Sequence, residues 1–348
     1  MKKFSIYIFV ALVTASLFFQ SCSDKEDSKT STVGREYDRE FLGMKYRVNV
    51  VGDTTDYSFA FDSIEHSVKI HIDPNNPEST VIKYNTAEGT NGYYEFVDQN
   101  KTMGNIMSVS LEMYRKSNGY WDFTLSPAQR AWLPQVLSAN PITPNIDSLI
   151  QFTSMPYAIV DFEEVEENGV YKSSRIGKIN PKIEMDLQKI GTALVFDKIV
   201  EFLKSKSKSI SQGTIRSDAW HVGFGTTIDS LNIVDMTMSG QKTGNRLRVV
   251  NRAYATYDSR NKVTMLDPNT LLPVFNEMFQ SYISAKTVVE SYVFSEAFMI
   301  MGVEGMGKFY ESNSESDIQS LVYFMKSDSE RSFASTENFD KMMVAPSN

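Results

Sequence analysis

The sequence predicts an α+β domain, and two observations support this class. Segments with apolar residues every three or four positions, typical of helices, are interspersed with segments in which apolar and polar residues alternate, typical of half-buried strands. These segments come in mixed order rather than as regular strand–helix repeats, which favours α+β over a parallel α/β sheet. Of the 348 residues, 41% are hydrophobic and 22% are charged, which is the ordinary composition of a globular protein.

The N-terminus has the features of a lipoprotein signal. Lys2 and Lys3 precede an uncharged apolar stretch at 4–19, which is shorter than the roughly 20 residues of a membrane-spanning helix. The single cysteine, Cys22, follows the small residue Ser21. We therefore expect residues 1–21 to be a signal peptide and Cys22 to be lipidated, anchoring the protein in a lipid membrane. A plain cleaved signal with an incidental cysteine is the alternative.

Residues 22–36 are predicted to be the lipidated cysteine and a flexible tether, because 23–36 is polar and poor in apolar residues. The acidic stretch at 24–27 resembles the surface-export signal of Bacteroidetes lipoproteins. That resemblance implies an outer-membrane protein on the periplasmic or cell-surface face. The rest of the chain is divided into a domain at 37–320 and a C-terminal segment at 321–348.

The first half of this domain combines both periodicities. Alternation over 41–51 predicts a strand with Tyr46, Val48 and Val50 on one side. Helical spacing of apolar residues predicts a helix over 57–72, which the Asp- and Pro-containing segment 73–77 ends. Further predictions are a helix at 106–116, a loop with a short helix at 133–150, and strands at 157–165 and 174–183.

In the second half, two strongly apolar helices stand out. Residues 190–203 have an amphipathic helical pattern, and 288–301 are apolar on nearly every side. Strands are expected at 220–224, 233–238 and 247–257.

Composition excludes two classes of function. Lys and Arg total 35 against 43 Asp and Glu, a formal net charge of −8. Nucleic-acid binding is therefore not expected, since it depends on clustered basic residues. One cysteine and three separated histidines provide neither a disulfide nor a cysteine-rich zinc site.

Eight short motifs then occur in one order along the chain. They are FLGMKYRV (41–48), NNPES (75–79) through Asn85, GYWDFT (119–124) with Pro127 and Trp132, MDL (185–187) through Asp197, WHVG (220–223), MSG (238–240), LDPNT (266–270) with Pro273, and SYVFSEAFMIMG (291–302). Each alone is weak. Together, behind a lipoprotein signal, they resemble the ApbE-like family, the FAD:protein FMN transferases.

The resemblance covers about residues 40–310 and implies a T-fold-related, two-lobed α+β domain of mixed sheet and helix. It also implies a reaction, in which a Ser or Thr hydroxyl of an acceptor protein attacks the FMN phosphorus of FAD and AMP leaves. FAD and Mg²⁺ are the implied cofactors, and a flavinylated protein is the implied partner.

Site residues follow from the same motifs. The resemblance implies flavin or FAD contacts at Leu42, Tyr120, Trp121, Asp122, Asp186, Thr192, Thr264 and Met265. Core packing is the alternative role for Trp121, and a turn or cap is the alternative for Asp122. The segment 267–270 is expected to be a turn.

The implied metal site departs from the family pattern. The backbone carbonyl of Lys189 is one implied ligand. The two side-chain ligand positions, Asp and Thr in the family, hold Tyr292 and Glu296 here. Family Lys and His positions fall on Thr192 and Thr264. Glu296 is the candidate replacement ligand, because it lies one helical turn beyond Tyr292 on the same face; an ordinary polar residue on a helix rim is the alternative.

Two functions therefore remain open. The first is a flavin transferase with a metal site rebuilt around Glu296. The second is a non-catalytic surface lipoprotein that binds a flavin, a protein or another ligand on the same scaffold.

Overall fold

The computed structural model describes residues 33–87, 92–98, 100–136, 138, 140, 142–155, 160–225, 229–234, 242–258, 265–327 and 330–344. The predicted signal peptide, Cys22, Thr264 and the MSG motif lie outside the described residues. Among those that are described, no helix is long and apolar enough to span a bilayer.

The helices are α1 (Ser58–Ile72), α2 (Thr80–Thr86), α3 (Thr102–Lys116), α4 (Ser126–Val136), α5 (Ile146–Leu149), α6 (Gln188–Ser205), α7 (Val288–Ser312) and α8 (Glu337–Met342). The strands are β1 (Gly34–Phe41), β2 (Met44–Val51), β3 (Tyr93–Phe96), β4 (Phe162–Glu167), β5 (Val170–Gly177), β6 (Gln212–Ser217), β7 (Trp220–Gly225), β8 (Asp229–Val234), β9 (Lys242–Val249), β10 (Arg252–Asp258), β11 (Met278–Ala285), β12 (Gln319–Met325), β13 (Arg331–Ser335) and β14 (Met343–Val344).

The fold is built on an eight-stranded sheet with the order β1-β2-β6-β7-β10-β11-β12-β13. Every neighbouring pair in it is antiparallel. Two three-stranded sheets, β14-β9-β8 and β3-β5-β4, accompany it. The predicted α+β class is confirmed by this large antiparallel sheet with its helices. The predicted boundaries at 36/37 and 320/321 fall within β1 and β12, and the domain limits stay predictions.

Helices α6 and α7 form the centre of the core. Helix α7 packs on β10 and β11, and α6 packs between α1 and α7. The first turns of α7 are buried on nearly every side, because the sheet covers one side and α6 another. This explains why the sequence there lacks the polar face of a surface helix.

A kink divides α7 at Gly302, whose φ of 70° lies in the left-handed region. Two side chains that precede α7 form hydrogen bonds with backbone groups next to this kink. The Asn276 amide donates to the carbonyls of Met299 and Ile300, and Glu277 Oε1 accepts the amide of Val303 at 2.9 Å.

The predicted helices at 57–72, 190–203 and 288–301 are confirmed within α1, α6 and α7. Two predicted strands were too long. The strand predicted at 41–51 is confirmed as β2 only from Met44, because Phe41 ends β1 and the turn between the two strands holds Leu42 and Gly43, both at positive φ. The strand at 247–257 is divided between β9 and β10, with Asn251 at a φ of 51° between them.

Other elements differ in extent. The helix at 106–116 begins earlier, at Thr102. The predicted loop at 133–150 begins inside α4, which includes Pro134, and contains the short helix α5. The strand predicted at 174–183 ends at Gly177 as β5, and 157–165 overlaps β4 only from Phe162.

Candidate functional site

A cleft of about 100 Å³ lies where four separate parts of the chain meet. These parts are the loop between α3 and α4 with the start of α4, the beginning of α6 with Asp186 before it, the end of β10 together with residues 265 and 266, and the middle of α7. The lining residues are Tyr120, Trp121, Asp122, Phe123, Leu125, Ser126, Gln129, Asp186, Lys189, Tyr257, Met265, Leu266, Tyr292, Glu296 and Ile300.

Of the eleven flavin and metal positions implied by the sequence, this cleft brings together eight. They are Tyr120, Trp121, Asp122, Asp186, Lys189, Met265, Tyr292 and Glu296. Two others lie outside the lining. Leu42 sits in the β1–β2 turn, where its carbonyl accepts a hydrogen bond from the side-chain amide Nε2 of Gln188 at 3.1 Å. Thr192 is buried in α6, and its hydroxyl donates to the Gln188 carbonyl at 2.7 Å.

Aromatic rings form the inner wall of the cleft. Trp121 meets Tyr292 edge to face with centroids 6.3 Å apart, and Trp121 Nε1 donates to Tyr292 Oη at 3.4 Å. Trp220 lies on another side of Tyr292, at 5.4 Å. Both Trp121 and Tyr292 are buried, so the Trp121 ring has a packing role in this structure. Burial raises the pKa of Tyr292 well above its ordinary value.

Glu296 is already occupied by two protein groups. Its Oε1 lies 2.9 Å from Lys189 Nζ, and its Oε2 accepts the Tyr292 hydroxyl at 2.9 Å. The Glu296 side chain is 14% exposed and that of Lys189 is 56% exposed. The Lys189 ammonium also lies 5.8 Å from the Tyr257 ring centroid and 6.0 Å from that of Tyr292. The Glu296 charge raises the pKa of Lys189, so the ammonium stays charged.

Asp122 is likewise engaged by its own protein. Its Oδ1 accepts the amide and the hydroxyl of Thr124, both at 2.7 Å, and its Oδ2 accepts the Met155 amide at 2.6 Å. Burial raises the pKa of Asp122, against the effect of these hydrogen bonds. This is the geometry of a turn-forming carboxylate, which was the alternative to a flavin contact.

Asp186 is more open to a ligand. It is exposed, and one of its carboxylate oxygens accepts the Gln188 amide at 3.0 Å. Its backbone amide donates to Phe123 at 2.8 Å, which ties the start of α6 to the α3–α4 loop. Asp186 and Ser126 also line a second cavity of about 350 Å³, between the α1–α2 region and the segment before α6. That volume lies within the roughly 300–1,000 Å³ of small-molecule sites.

The described residues do not fit the implied Mg²⁺ site. Magnesium needs oxygen ligands in near-octahedral geometry. One side-chain position holds the buried Tyr292 phenol, and both oxygens of Glu296 contact protein groups. Within the described part of the chain, no group of three or more His, Cys, Asp and Glu side chains is placed to hold a metal ion.

The Lys189 side chain was missed by sequence reasoning, which considered only its backbone carbonyl. No local signal could have shown its role, because its partner Glu296 is 107 positions away. Tyr257 was missed as well, because it is a strand residue that belongs to no motif.

Comparison with known proteins agrees with this geometry. The model of the ApbE family matches residues 42–321, and the chain therefore belongs to the ApbE family. The FAD:protein FMN transferase of Escherichia coli (strain K12) is 20% identical over 318 residues, covering 85% of this chain and 87% of that protein. The FAD:protein FMN transferase of Klebsiella pneumoniae (strain 342) is 20% identical over 317 residues, covering 84% and 86%.

Solved structures show the same fold. The flavin transferase ApbE from Vibrio cholerae superposes with a TM-score of 0.69 at 14% identity, covering 89% of this chain and 99% of that one. The apo flavinyl transferase ApbE from Pseudomonas stutzeri gives a TM-score of 0.71 at 14% identity, with 89% and 97% covered. The α+β architecture is thus that of ApbE proteins.

Proposed function

We propose that this protein binds FAD in the cleft between α4, α6 and α7 and acts as a FAD:protein FMN transferase. The observation that supports this most is the convergence of eight implied positions, from four separate parts of the chain, on one cleft. The second cavity supports it too, because the two spaces share Ser126 and Asp186. A ligand with two ends, such as a dinucleotide, suits two adjoining spaces.

In the proposed reaction, a Ser or Thr hydroxyl oxygen of an acceptor protein forms a bond to the FMN phosphorus. The bond from that phosphorus to the bridging oxygen breaks, AMP leaves with that oxygen, and the hydroxyl proton passes to solvent. Because the described residues do not fit Mg²⁺, no metal step is part of this proposal.

A titration tests the binding part. FAD is added to the purified full-length chain in detergent, and flavin fluorescence gives the Kd. We expect binding, weakened in Asp186→Asn, which alters a residue of both cavities. The matched control is Asp218→Asn, another exposed aspartate that lines neither cavity. Absence of FAD binding at millimolar ligand would refute the proposal.

A second candidate is favoured by one observation. Glu296, the candidate replacement ligand, is paired with Lys189 and Tyr292. A contact between protein side chains therefore stands where the family resemblance implies the metal ion of an active transferase. A flavin-binding protein without transfer activity fits this arrangement. Measuring AMP release in the presence of an acceptor protein separates the two functions. FAD binding without AMP release would indicate a flavin-binding protein that has no transfer activity.

We also propose that Cys22 anchors the protein as a lipoprotein in the outer membrane, supported by the short apolar stretch at 4–19 and the Cys at its end. Metabolic labelling with a radioactive fatty acid tests it. We expect label in the wild type and none in Cys22→Ala. Label retained by that variant would contradict the proposal.

A further inference from the structure

Lys189 is the one basic side chain among the described residues that line the first cleft. The same lining contains three carboxyl groups, those of Asp122, Asp186 and Glu296. The Asp122 carboxyl is taken up by hydrogen bonds within the protein. The charges that a ligand meets are therefore those of Lys189, Asp186 and Glu296. An anionic ligand entering here needs a cation, and Lys189 is the cation that the chain itself provides.

The geometry lets Lys189 serve two partners at once. An ammonium has three N–H donors, and among the described residues one of them is engaged, by Glu296. The side chain is 56% exposed while Glu296 is 14% exposed. The ammonium therefore extends from a mostly buried carboxylate toward solvent at the cleft, with donors left for ligand oxygens.

A plain ion pair between two helices is the simpler interpretation. Ion pairs that are open to solvent on both sides contribute only about 0–1 kcal/mol to stability. Two features of the Lys189–Glu296 pair favour a role in ligand binding over that simpler interpretation. The Lys189 ammonium lies close to two tyrosine rings of the cleft wall, Tyr257 and Tyr292, and Tyr292 holds the second oxygen of Glu296. The pair is thus fixed within the cleft, at the position implied for a divalent ion.

We propose that the Lys189 ammonium is the resident cation of this cleft, and that it binds the diphosphate of a flavin dinucleotide without a divalent metal ion. The inference rests on the proposed FAD binding. It adds the residue that binds the diphosphate and the consequence that binding does not depend on metal. Mg²⁺ commonly binds one or two carboxylates together with substrate phosphates. Removing Lys189 would leave Glu296 and Asp186 available for that arrangement.

The experiment measures the FAD Kd of the full-length chain by flavin fluorescence, in EDTA and in millimolar Mg²⁺. For the wild type we expect the same Kd in both. For Lys189→Met in EDTA we expect binding weakened about tenfold, equivalent to about 1.4 kcal/mol. Mg²⁺ should restore much of that loss in Lys189→Met, and the restoration should disappear in Lys189→Met with Glu296→Gln.

Lys116→Met is the matched control. Lys116 also forms an ion pair with a glutamate of α7, Glu290, at 3.1 Å, but it lines neither cavity. We expect its FAD Kd to equal that of the wild type in both buffers. A structural role for Lys189 alone would predict no Mg²⁺ rescue.

The outcomes separate this inference from the proposed function. FAD binding by the wild type that requires Mg²⁺, or an unchanged Kd in Lys189→Met, overturns the inference and leaves the function standing. If FAD does not bind at all, inorganic diphosphate is titrated in EDTA. Diphosphate binding lost in Lys189→Met then supports the Lys189 site while the FAD function fails, and no diphosphate binding overturns both.

Discussion

The Asp197 carboxylate accepts the backbone amides of Val288 and Val289, at 2.8 and 3.1 Å, in the first turn of α7. Lys189 lies eight residues before Asp197 on α6, and Glu296 lies eight residues after Val288 on α7. Eight helical residues span about 12 Å. The contacts Asp197–Val288 and Lys189–Glu296 can both form only if α6 and α7 run antiparallel in this register. Asp197 therefore helps to set the spacing that brings Lys189 to Glu296.

This buried carboxyl makes stability depend on pH. Burial raises the pKa of Asp197 to about 7, with Glu201 and Glu290 acting in the same direction against the two amide hydrogen bonds. Between pH 4 and 7 the folded protein then retains a proton that the unfolded chain loses. The free energy of unfolding should fall as pH rises through this range, by a few kcal/mol at most, and level off above it.

Urea unfolding at several pH values measures this decline. In Asp197→Asn the decline should be smaller, because the titrating group is gone. Asp218→Asn, an exposed aspartate on the β6–β7 turn, is the control and should keep the wild-type slope. An Asp197→Asn protein with an unchanged slope would show that Asp197 does not titrate in this range.

Tyr292→Phe tests the contact between the aromatic wall and the ion pair. The change removes the donor to Glu296 Oε2 and the acceptor of Trp121 Nε1. Leaving a buried donor unpaired costs about 1–3 kcal/mol, and we expect a loss of that size in the free energy of unfolding. Tyr310→Phe is a control within α7, since its hydroxyl contacts Ser320 at 3.0 Å, away from the cleft. FAD affinity should change in Tyr292→Phe and not in the control.

Local periodicity was sufficient to predict the large helices. The apolar spacing of 190–203 and 288–301 persists over several turns, so both α6 and α7 were found. The turn at Leu42 was missed because leucine is not a turn residue, and alternation continues through Gly43. The same continuity hid the turn at Asn251 between β9 and β10.

The site was predictable only where motifs exist. Trp121 and Asp186 belong to motifs and were identified as site positions, whereas the pairing of Glu296 with Lys189 depends on how two distant helices pack. Lys189 and Glu296 are 107 positions apart, and neither has a sequence context that indicates an ion pair. Long-range charge pairing of this kind is decided by tertiary structure.

Lys178 should make the free energy of unfolding depend on pH with a sign opposite to that of Asp197. Its side chain is buried, and its ammonium donates to the backbone carbonyls of Tyr84 and Asn85 at the end of α2. Burial lowers the pKa of Lys178 to about 8, from an ordinary 10.5. Between these values the unfolded chain holds a proton that the folded protein has lost, so the free energy of unfolding should rise with pH.

Thermal unfolding between pH 8 and 10.5 measures the rise. Lys178→Met should remove it, because no ammonium is left to titrate. Lys182→Met replaces an exposed lysine nearby and should keep the wild-type rise. A Lys178→Met protein that still gains stability over this range would exclude Lys178 as the cause.

Asp122 distinguishes a structural residue from a flavin contact. Its carboxylate accepts the Thr124 amide and hydroxyl and the Met155 amide, so Asp122→Ala leaves these donors without their acceptor. We expect a loss of about 1–3 kcal/mol in the free energy of unfolding for each buried donor that stays unpaired. Asp267→Ala is the matched control, since Asp267 forms a similar but exposed turn with the Asn269 amide, and it should cost less.

With both variants kept below their unfolding temperatures, FAD affinity should stay within about twofold of the wild type, less than 0.5 kcal/mol. A folded Asp122→Ala protein that loses FAD while keeping its stability would instead make this carboxylate a ligand contact, because only a group that touches the flavin nucleotide would change binding without changing the fold.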